Sequence, residues 1–427
     1  MSNVKAPAPI HLLRSHTSSI AALFVSRDNE HIYSGDASGH AVITSTRTLR
    51  AIASWKAHQD GFLGIEEWEN GNAIITHGRD NKLHVWDRLD EQSITSGIGS
   101  SAALPGLPTP TLRFSMDVNA LNYCRFSLLP TSIIGSIPEN LPSANITSRV
   151  DSSSECTALI ALPNLIQSSE ADVWSIPSYK RLHAAIGHRV KASIFSGDGR
   201  TGENATGIIM SLRLFEPTSS SAESSRSTPE LRILIAYESG AVILRRYANP
   251  GKLMSVEGKG WEMIWETKLH QEAIMAMQVS SNNQFALTVS ADHIVGRYNL
   301  TVRRSASAQD GTTFYRTKHP GNGCISIRDD GRVCAIGGWD GKVRLYSTKS
   351  FKPVGTLEYH KDGCQALSFA TSASTDSGSQ YKELEELHED EDEDMLDEEK
   401  LKRSRWLVSG GKDKRIAIWE LISFEKF

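Results

Sequence analysis

Short stretches in which apolar and polar residues alternate recur along this chain, often in pairs around a tight polar turn. IITHG leads through the turn Arg79-Asp80 into NKLHV, and ILIAYESGAVILRRY (233–247) holds two such stretches around a Ser-Gly turn. A period of two places every second side chain on one face, so these stretches predict short, half-buried β-strands.

The strands fall into a repeating frame. His58 precedes Trp86 by 28 residues, and Asp80 lies six before the tryptophan. His270 precedes Tyr298 by 28, with Asp292 six before the tyrosine, and His16 precedes Thr44 by 28. His319 precedes Tyr346 by 27, with Asp340 six before; His360 precedes Trp419 by 59, with Asp413 six before. Two weaker units fill the middle. In one, 118–126 (VNALNYCRF) reads as an inner strand and 171–178 as the end of a third strand; the other holds 233–247 and opens at His188.

This makes seven units of about four short strands each. One such sheet cannot bury both faces alone, so neighbours must stack, and radial stacking closes a β-propeller. The expected architecture is all-β, a seven-bladed propeller of four-stranded antiparallel blades occupying 1–427 as one domain. Eight residues follow Trp419, and IHLLRSH (10–16) matches the segment before His58. The N-terminal strand is therefore expected to close the last blade.

Four stretches interrupt the repeat. Residues 91–110 are rich in Ser, Gly and Pro and read as a link between blades two and three. Residues 129–155 and 216–230 read as polar loops within blades three and four. Residues 371–404 read as an acidic, disordered insertion in blade seven. Composition enters here: the net charge is −4, but 381–400 alone carry twelve acids against two lysines. The rest of the chain is therefore about +6, and one segment sets the overall sign. An acidic arm of this kind suits a basic partner surface. The following LKRSR (401–405) is a short basic run of nuclear-import type, and Ser224, Ser227 and Thr228 are candidate phosphorylation positions.

Other features exclude function classes. Five dispersed cysteines without a C-x-x-C pair argue against a disulfide framework, and His360 with Cys364 has no second pair to build a metal site. No metal or cofactor is expected. No apolar run is long enough to cross a membrane, and the N-terminus lacks a signal-peptide core. No phosphate-binding loop, H-E-x-x-H or G-x-S-x-G occurs. Histidines and aspartates recur at turn spacing instead of converging on one point, so the chain reads as a non-enzyme. No stripe of Arg and Lys interleaved with aromatics points to direct nucleic-acid binding.

The frame, with VWD at 85–87 and AIWE at 417–420, resembles the WD40 family. In that family a histidine, a hydroxyl, a turn aspartate and a tryptophan form a buried hydrogen-bonded set. Matched residue by residue, this implies His58, Thr76, Asp80 and Trp86 in blade two and His360, Ser409, Asp413 and Trp419 in blade seven. Blade five supplies His270, Thr288, Asp292 and Tyr298. Blade one departs, with His16 and Ser34 but Thr44, and blade six has Ile336 where a hydroxyl is expected. More specifically, IYSGDASGHAVI (32–43), GFLGIEEW (61–68), IGGWDGKVRLYS (336–347) and WLVSGGKDKRIAIWEL (406–421) are similar in order and wording to the fungal ASTRA-associated protein 1 family.

That resemblance implies a non-catalytic scaffold subunit of the ASTRA assembly, acting in chromatin remodelling and in maturing large kinases in the nucleus. Its implied partners are a phosphatidylinositol-kinase-like protein, paired RuvB-like AAA+ ATPases and helical-repeat cochaperones. Alternatives are a G-protein beta-like signalling scaffold, for which no N-terminal heptad helix is present, and a propeller enzyme working in the central channel. Binding is expected on the top and side faces, where turns and insertions collect. The candidate contact residues are Trp68, His77, Arg79, Lys82 and the turn residue Trp339.

Overall fold

A computed structural model describes residues 7–68, 72–89, 106–121, 123–130, 158–188, 206–217, 230–301, 311–372, 397–422 and 424. Their strands form seven four-stranded antiparallel sheets. Each sheet is one blade: 20–56, 62–117, 127–186, 209–268, 274–316, 322–358, and finally 364–420 joined by 11–13. The first strand of a blade lies innermost, and inner strands of neighbouring blades pack against each other around the axis. The molecule is thus a seven-bladed β-propeller.

Burial follows from this geometry. The second strand of every blade, such as Ala73–Gly78, Phe285–Ser290 or Trp406–Gly411, is buried at all six positions. Both of its faces are covered by adjacent blades, so it carries near-continuous apolar sequence. The outer strand has open solvent on one side, and Pro353–Glu358 alternates between covered and exposed positions. The core is therefore divided into seams between blades. One seam packs Ile20 and Ile32 of blade one against Trp406 and Ile418 of blade seven.

Closure uses both ends of the chain. His11–Leu13 pairs antiparallel with Ile416–Glu420, in the register His11 with Ile418 and Leu13 with Ile416. The Ile10 amide extends the ladder to the Ile418 carbonyl at 2.9 Å.

Two organisational expectations are corrected. Residues 118–126 are not the inner strand of blade three; that strand is Ser127–Pro130. The Asn119 side chain accepts the Leu121 amide at 2.8 Å, a local turn that competes with strand pairing, although Val118, Cys124 and Phe126 are buried. Residues 91–110 do not link blades two and three. They lie between Lys82–Asp87 and Leu112–Asp117, which are neighbouring strands of blade two.

Strand direction also fixes where the insertions leave. All four emerge at the end of the ring opposite the turn aspartates, because each follows a first or a third strand. Turns and insertions are thus on opposite ends and do not collect on one face. Most of 91–110, 129–155, 216–230 and 371–404 lies outside the described residues, as do Ser224, Ser227 and Thr228. The final part of 371–404 is not loop but a helix, Asp397–Arg403. Arg403 is buried, donating to Thr46 Oγ1 at 3.1 Å and pairing with Glu399 at 3.3 Å. With Ser404 buried as well, LKRSR does not form a freely accessible basic run. At the other stem, Thr371 exchanges two hydrogen bonds with the Asn29 side chain at 2.8 and 2.9 Å. Both stems are therefore fastened to blade one.

Candidate interaction surfaces and the turn locks

In blade two, His58 sits in the loop before the inner strand, Thr76 on the second strand, Asp80 in the following turn and Trp86 on the third strand. His58 Nδ1 is 2.9 Å from Asp80 Oδ1, and Nε2 is 2.9 Å from Thr76 Oγ1. The Trp86 indole N–H donates to the same hydroxyl oxygen at 2.8 Å. The Asp80 carboxylate can only accept, so the neutral imidazole carries its proton on Nδ1 and its Nε2 accepts from the threonine hydroxyl. Asp80 also accepts the Gln59 amide at 2.8 Å. The chain reversal between the second and third strands is thereby tied to the loop that enters the blade.

Blade seven repeats the set. His360 lies 3.0 Å from Asp413 and 2.9 Å from Ser409, and the Trp419 indole donates to Ser409 at 2.9 Å. Blade five does so more loosely. His270 reaches Asp292 at 3.1 Å and Thr288 at 2.8 Å, while the Tyr298 hydroxyl stands 3.4 Å from Thr288. Burial pushes the His58 imidazole down to about 4, against the opposing pull of Asp80, and shifts His270 in the same direction. These rings are held neutral, with both nitrogens engaged in hydrogen bonds of the turn.

Blade one reveals a residue that the frame missed. His16 contacts Ser34 at 2.7 Å, but its carboxylate partner is Asp36, at 3.0 Å, two residues earlier than the frame position. Asp36 also accepts the Ser38 and His40 amides at 2.9 and 3.0 Å. Burial raises its carboxyl pKa, but these hydrogen bonds outweigh it and the net shift is downward. The signal was present in SGDASG, where an aspartate and a serine trade places.

Blade six breaks the frame. His319 is exposed and takes no part in a lock. Asp340 instead pairs with Arg344, whose side chain is 8% exposed. Ile336 is buried where a hydroxyl would sit, so a histidine nitrogen would find no partner there. Blade three uses a different polar set, in which the Asn164 amide donates to both oxygens of Asp172 at 3.0 and 3.1 Å. His188, read as opening blade four, reaches back to Glu170 of blade three at 2.8 Å.

No metal site is assembled at blade two, although ligand-type atoms of His58, Asp80 and His84 come within 4.8 Å of one another. The two imidazoles stack with centroids 4.7 Å apart and an interplanar angle of 20°, so their in-plane lone pairs run nearly parallel instead of converging. His360 is occupied by Ser409 and Asp413, and Cys364 packs against Cys324.

The five candidate contact residues separate. His77 is fully buried on the second strand of blade two, against Phe126, and burial pushes it down to about 3. Trp68 is buried in the seam between blades two and three. Neither can meet a partner, because both strands are covered by blade three, and both are withdrawn as surface residues. Lys82 is half-buried and pairs with Asp117 at 2.5 Å. Arg79 is exposed, with its guanidinium 5.1 Å from the centre of the Tyr123 ring. Trp339 is 51% exposed, and its ring lies over Gly321, where a Cβ would come within 2.8 Å of the indole. Gly321 also has a φ of +78°, so both backbone and space require glycine there.

The loops of blades two and three add residues not singled out in the sequence. Leu121, Tyr123, Leu165 and Ile166 are 53–83% exposed. Below them a groove of about 520 Å³ runs between the blades, lined by Phe114, Met116, Leu162, Trp174 and Tyr179. Reading 118–126 as a buried inner strand concealed half of this surface.

The closed ring is a seven-bladed β-propeller, and its histidine–hydroxyl–aspartate–indole locks resemble those of WD40 repeats. The family model described as WD domain, G-beta repeat matches residues 313–347, which run from the outer strand of blade five through the third strand of blade six. Over nearly its whole length the chain resembles proteins called ASTRA-associated protein 1. It is 28% identical to that of Verticillium alfalfae over 98% of this chain and 93% of the relative. With that of Aspergillus niger it shares 29% identity over 97% of each, and with that of Schizosaccharomyces pombe 27% over 85% of this chain and 93% of the relative.

Proposed function

We propose that this protein is a non-catalytic scaffold subunit of an ASTRA-type assembly. In this reading it works in the nucleus, in chromatin remodelling and in the maturation of phosphatidylinositol-kinase-like proteins. One observation carries the proposal: the near-full-length resemblance to several proteins whose name associates them with ASTRA. The physical character of the molecule suits it. Recurrent His and Asp side chains are engaged in turn locks, while turns at one end present uncommitted aromatic, apolar and cationic groups. Rigid blades with such turns are a framework for protein contacts.

The partners of this reading are a large phosphatidylinositol-kinase-like protein, RuvB-like AAA+ ATPases and helical-repeat cochaperones. The test is affinity purification of the tagged full chain, followed by mass spectrometry. Co-purification of the kinase-like protein with the ATPases is expected; recovery of neither removes the assignment. Fluorescence microscopy of a fusion tests the nuclear site in the same cells, and exclusion from the nucleus counts against it.

A further inference from the structure

The innermost strands wall the axis of the ring, and they are almost without charge. In all seven of them, the only charged residues are Glu66, Glu67 and Arg213. Which of these face the axis follows from a shared burial pattern. In Ile20–Val25, Phe62–Trp68 and Ile209–Phe215 the second and fifth residues stay partly open to water while the others are buried. A bulge after the first residue brings the second and fifth to the same side, and neighbouring blades cover the rest. These two positions therefore point into the central channel. The fifth is Phe24, Glu66, Arg213, Gln278, Ser326 and Ser368 in blades one, two, four, five, six and seven, and the second is uncharged in all six. Glu67 turns instead to blade one, where it accepts the Tyr33 hydroxyl at 2.6 Å and the Arg27 amide at 3.4 Å.

Blade three adds one more charge. Arg125, two residues before its inner strand, is exposed between the buried Cys124 and Phe126 and reaches Glu66 at 3.3 Å. That contact uses one N–H of a guanidinium that has five. Glu66 is thus answered, but Arg213 is not. Its side chain has no hydrogen bond or ion pair with any described residue, and neither has the amide of Gln278 on the adjoining blade. Burial pushes the Arg213 guanidinium below its usual range, Glu66 pulls it up, and Arg125 and Arg27 push it further down. Those three groups are therefore within electrostatic reach of it. Arg27 stands at the rim beside Asp28, after the inner strand of blade one. Glu216 and Asp329 follow the inner strands of blades four and six; Asp329 accepts the Ser372 amide at 2.8 Å, and neither is among the charges that act on Arg213. Inside the channel two guanidiniums face one carboxylate, and donors exceed acceptors.

We infer that the central channel holds a binding site for a small phosphate-bearing molecule at Arg213, completed by the Gln278 amide and the remaining N–H groups of Arg125. A partly desolvated guanidinium without a counter-ion is costly to the fold, and an oxyanion between the two arginines removes that cost. Phosphate suits the site better than a carboxylate, because its oxygens accept from two guanidiniums and an amide at once. The site is independent of the assembly reading.

The test uses the purified full chain. Thermal melts are run in sodium phosphate, pyrophosphate, acetate and chloride at matched ionic strength, and pyrophosphate is titrated by calorimetry. Phosphate and pyrophosphate should raise the melting temperature above that in chloride, and acetate should not. Arg213→Met should weaken pyrophosphate binding about tenfold or more and remove the rise. Its melt in chloride should not fall, because the variant loses a charge that had no partner. Gln278→Met, which leaves every charge in place, should weaken binding about threefold. No rise in phosphate, an equal rise in acetate, or unchanged binding in both variants overturns the inference. A lower melt of Arg213→Met in chloride also overturns it, since Arg213 would then be engaged within the fold.

Discussion

Blades two and six place an aspartate in the same turn and neutralise it in different ways. Asp80 is held by a histidine that arrives from the preceding loop and is itself braced by Thr76 and Trp86. Asp340 is held by Arg344, which lies opposite Ile336 on the third strand. In blade two the position opposite Thr76 is His84, which takes part in none of the three hydrogen bonds of the lock. The turn therefore demands a carboxylate, but the chain can answer from a distant loop or from a neighbouring strand. The first solution ties the carboxylate to the entry loop; in the second the carboxylate is held locally, and the entry loop meets the turn through the Trp339 amide on the Gly321 carbonyl at 2.8 Å instead of through His319.

The largest contrast comes from removing the histidines. His58→Ala leaves a buried carboxylate and hydroxyl short of partners and should cost about 3 kcal/mol, whereas His319→Ala should stay within about 0.5 kcal/mol. Denaturant unfolding of both variants measures this, and equal losses would erase the distinction between the two blades. Next, Asp80→Ala should cost about 2–3 kcal/mol and Asp340→Ala about 1–2 kcal/mol, because Asp340 is 44% exposed on its side chain and Asp80 only 12%. A reversed order in thermal melts would show that Arg344 is the more costly group to strand.

Between pH 6.5 and 4, acid should act more on the histidine lock of blade two than on the Asp340–Arg344 pair of blade six, whose carboxyl is held below its usual range. His58 has a folded pKa depressed to about 4, so protonation opposes folding. Its contribution is complete above the unfolded value, about 6.5, and is lost as pH falls toward 4. At about pH 4.5 the loss is on the order of 2 kcal/mol. The slope of stability against pH between 6.5 and 4 should therefore shrink in His58→Ala and persist in His319→Ala. The smallest effect concerns the indole. Trp86→Phe removes a donor 2.8 Å from Thr76 and should cost about 1 kcal/mol, while Tyr298→Phe removes a 3.4 Å contact and should cost under about 0.5 kcal/mol.

Much of the ring was legible because its signals are local. Apolar second strands, turn aspartates and the histidine spacing of blades two, five and seven each depend on residues close in sequence or on a repeated interval. The reading weakened where polar groups trade places. Asp36 does the work of a residue two positions later, and in blade six Arg344 does the work of a histidine. The inner strand of blade three starts only at Ser127, because Asn119 makes a turn before it that no periodicity reports.

Surface assignment was the least legible part. His77 and Arg79 are two residues apart, yet one is fully buried and the other is exposed beside Tyr123. Trp68 and Trp339 are both tryptophans near turns, but one fills a seam and the other lies open over Gly321.

The sequence by itself determined the number of blades, their strand pattern and three of the locks, because these are set by short-range patterning repeated until the ring closes. Only the tertiary structure decided which side chains face a neighbouring blade and which face solvent, and that all four insertions leave from the end opposite the locks. The reason is that a second strand is covered on both faces by other blades. A residue's exposure in a propeller thus depends on blades far away in the chain, and no local pattern carries that information.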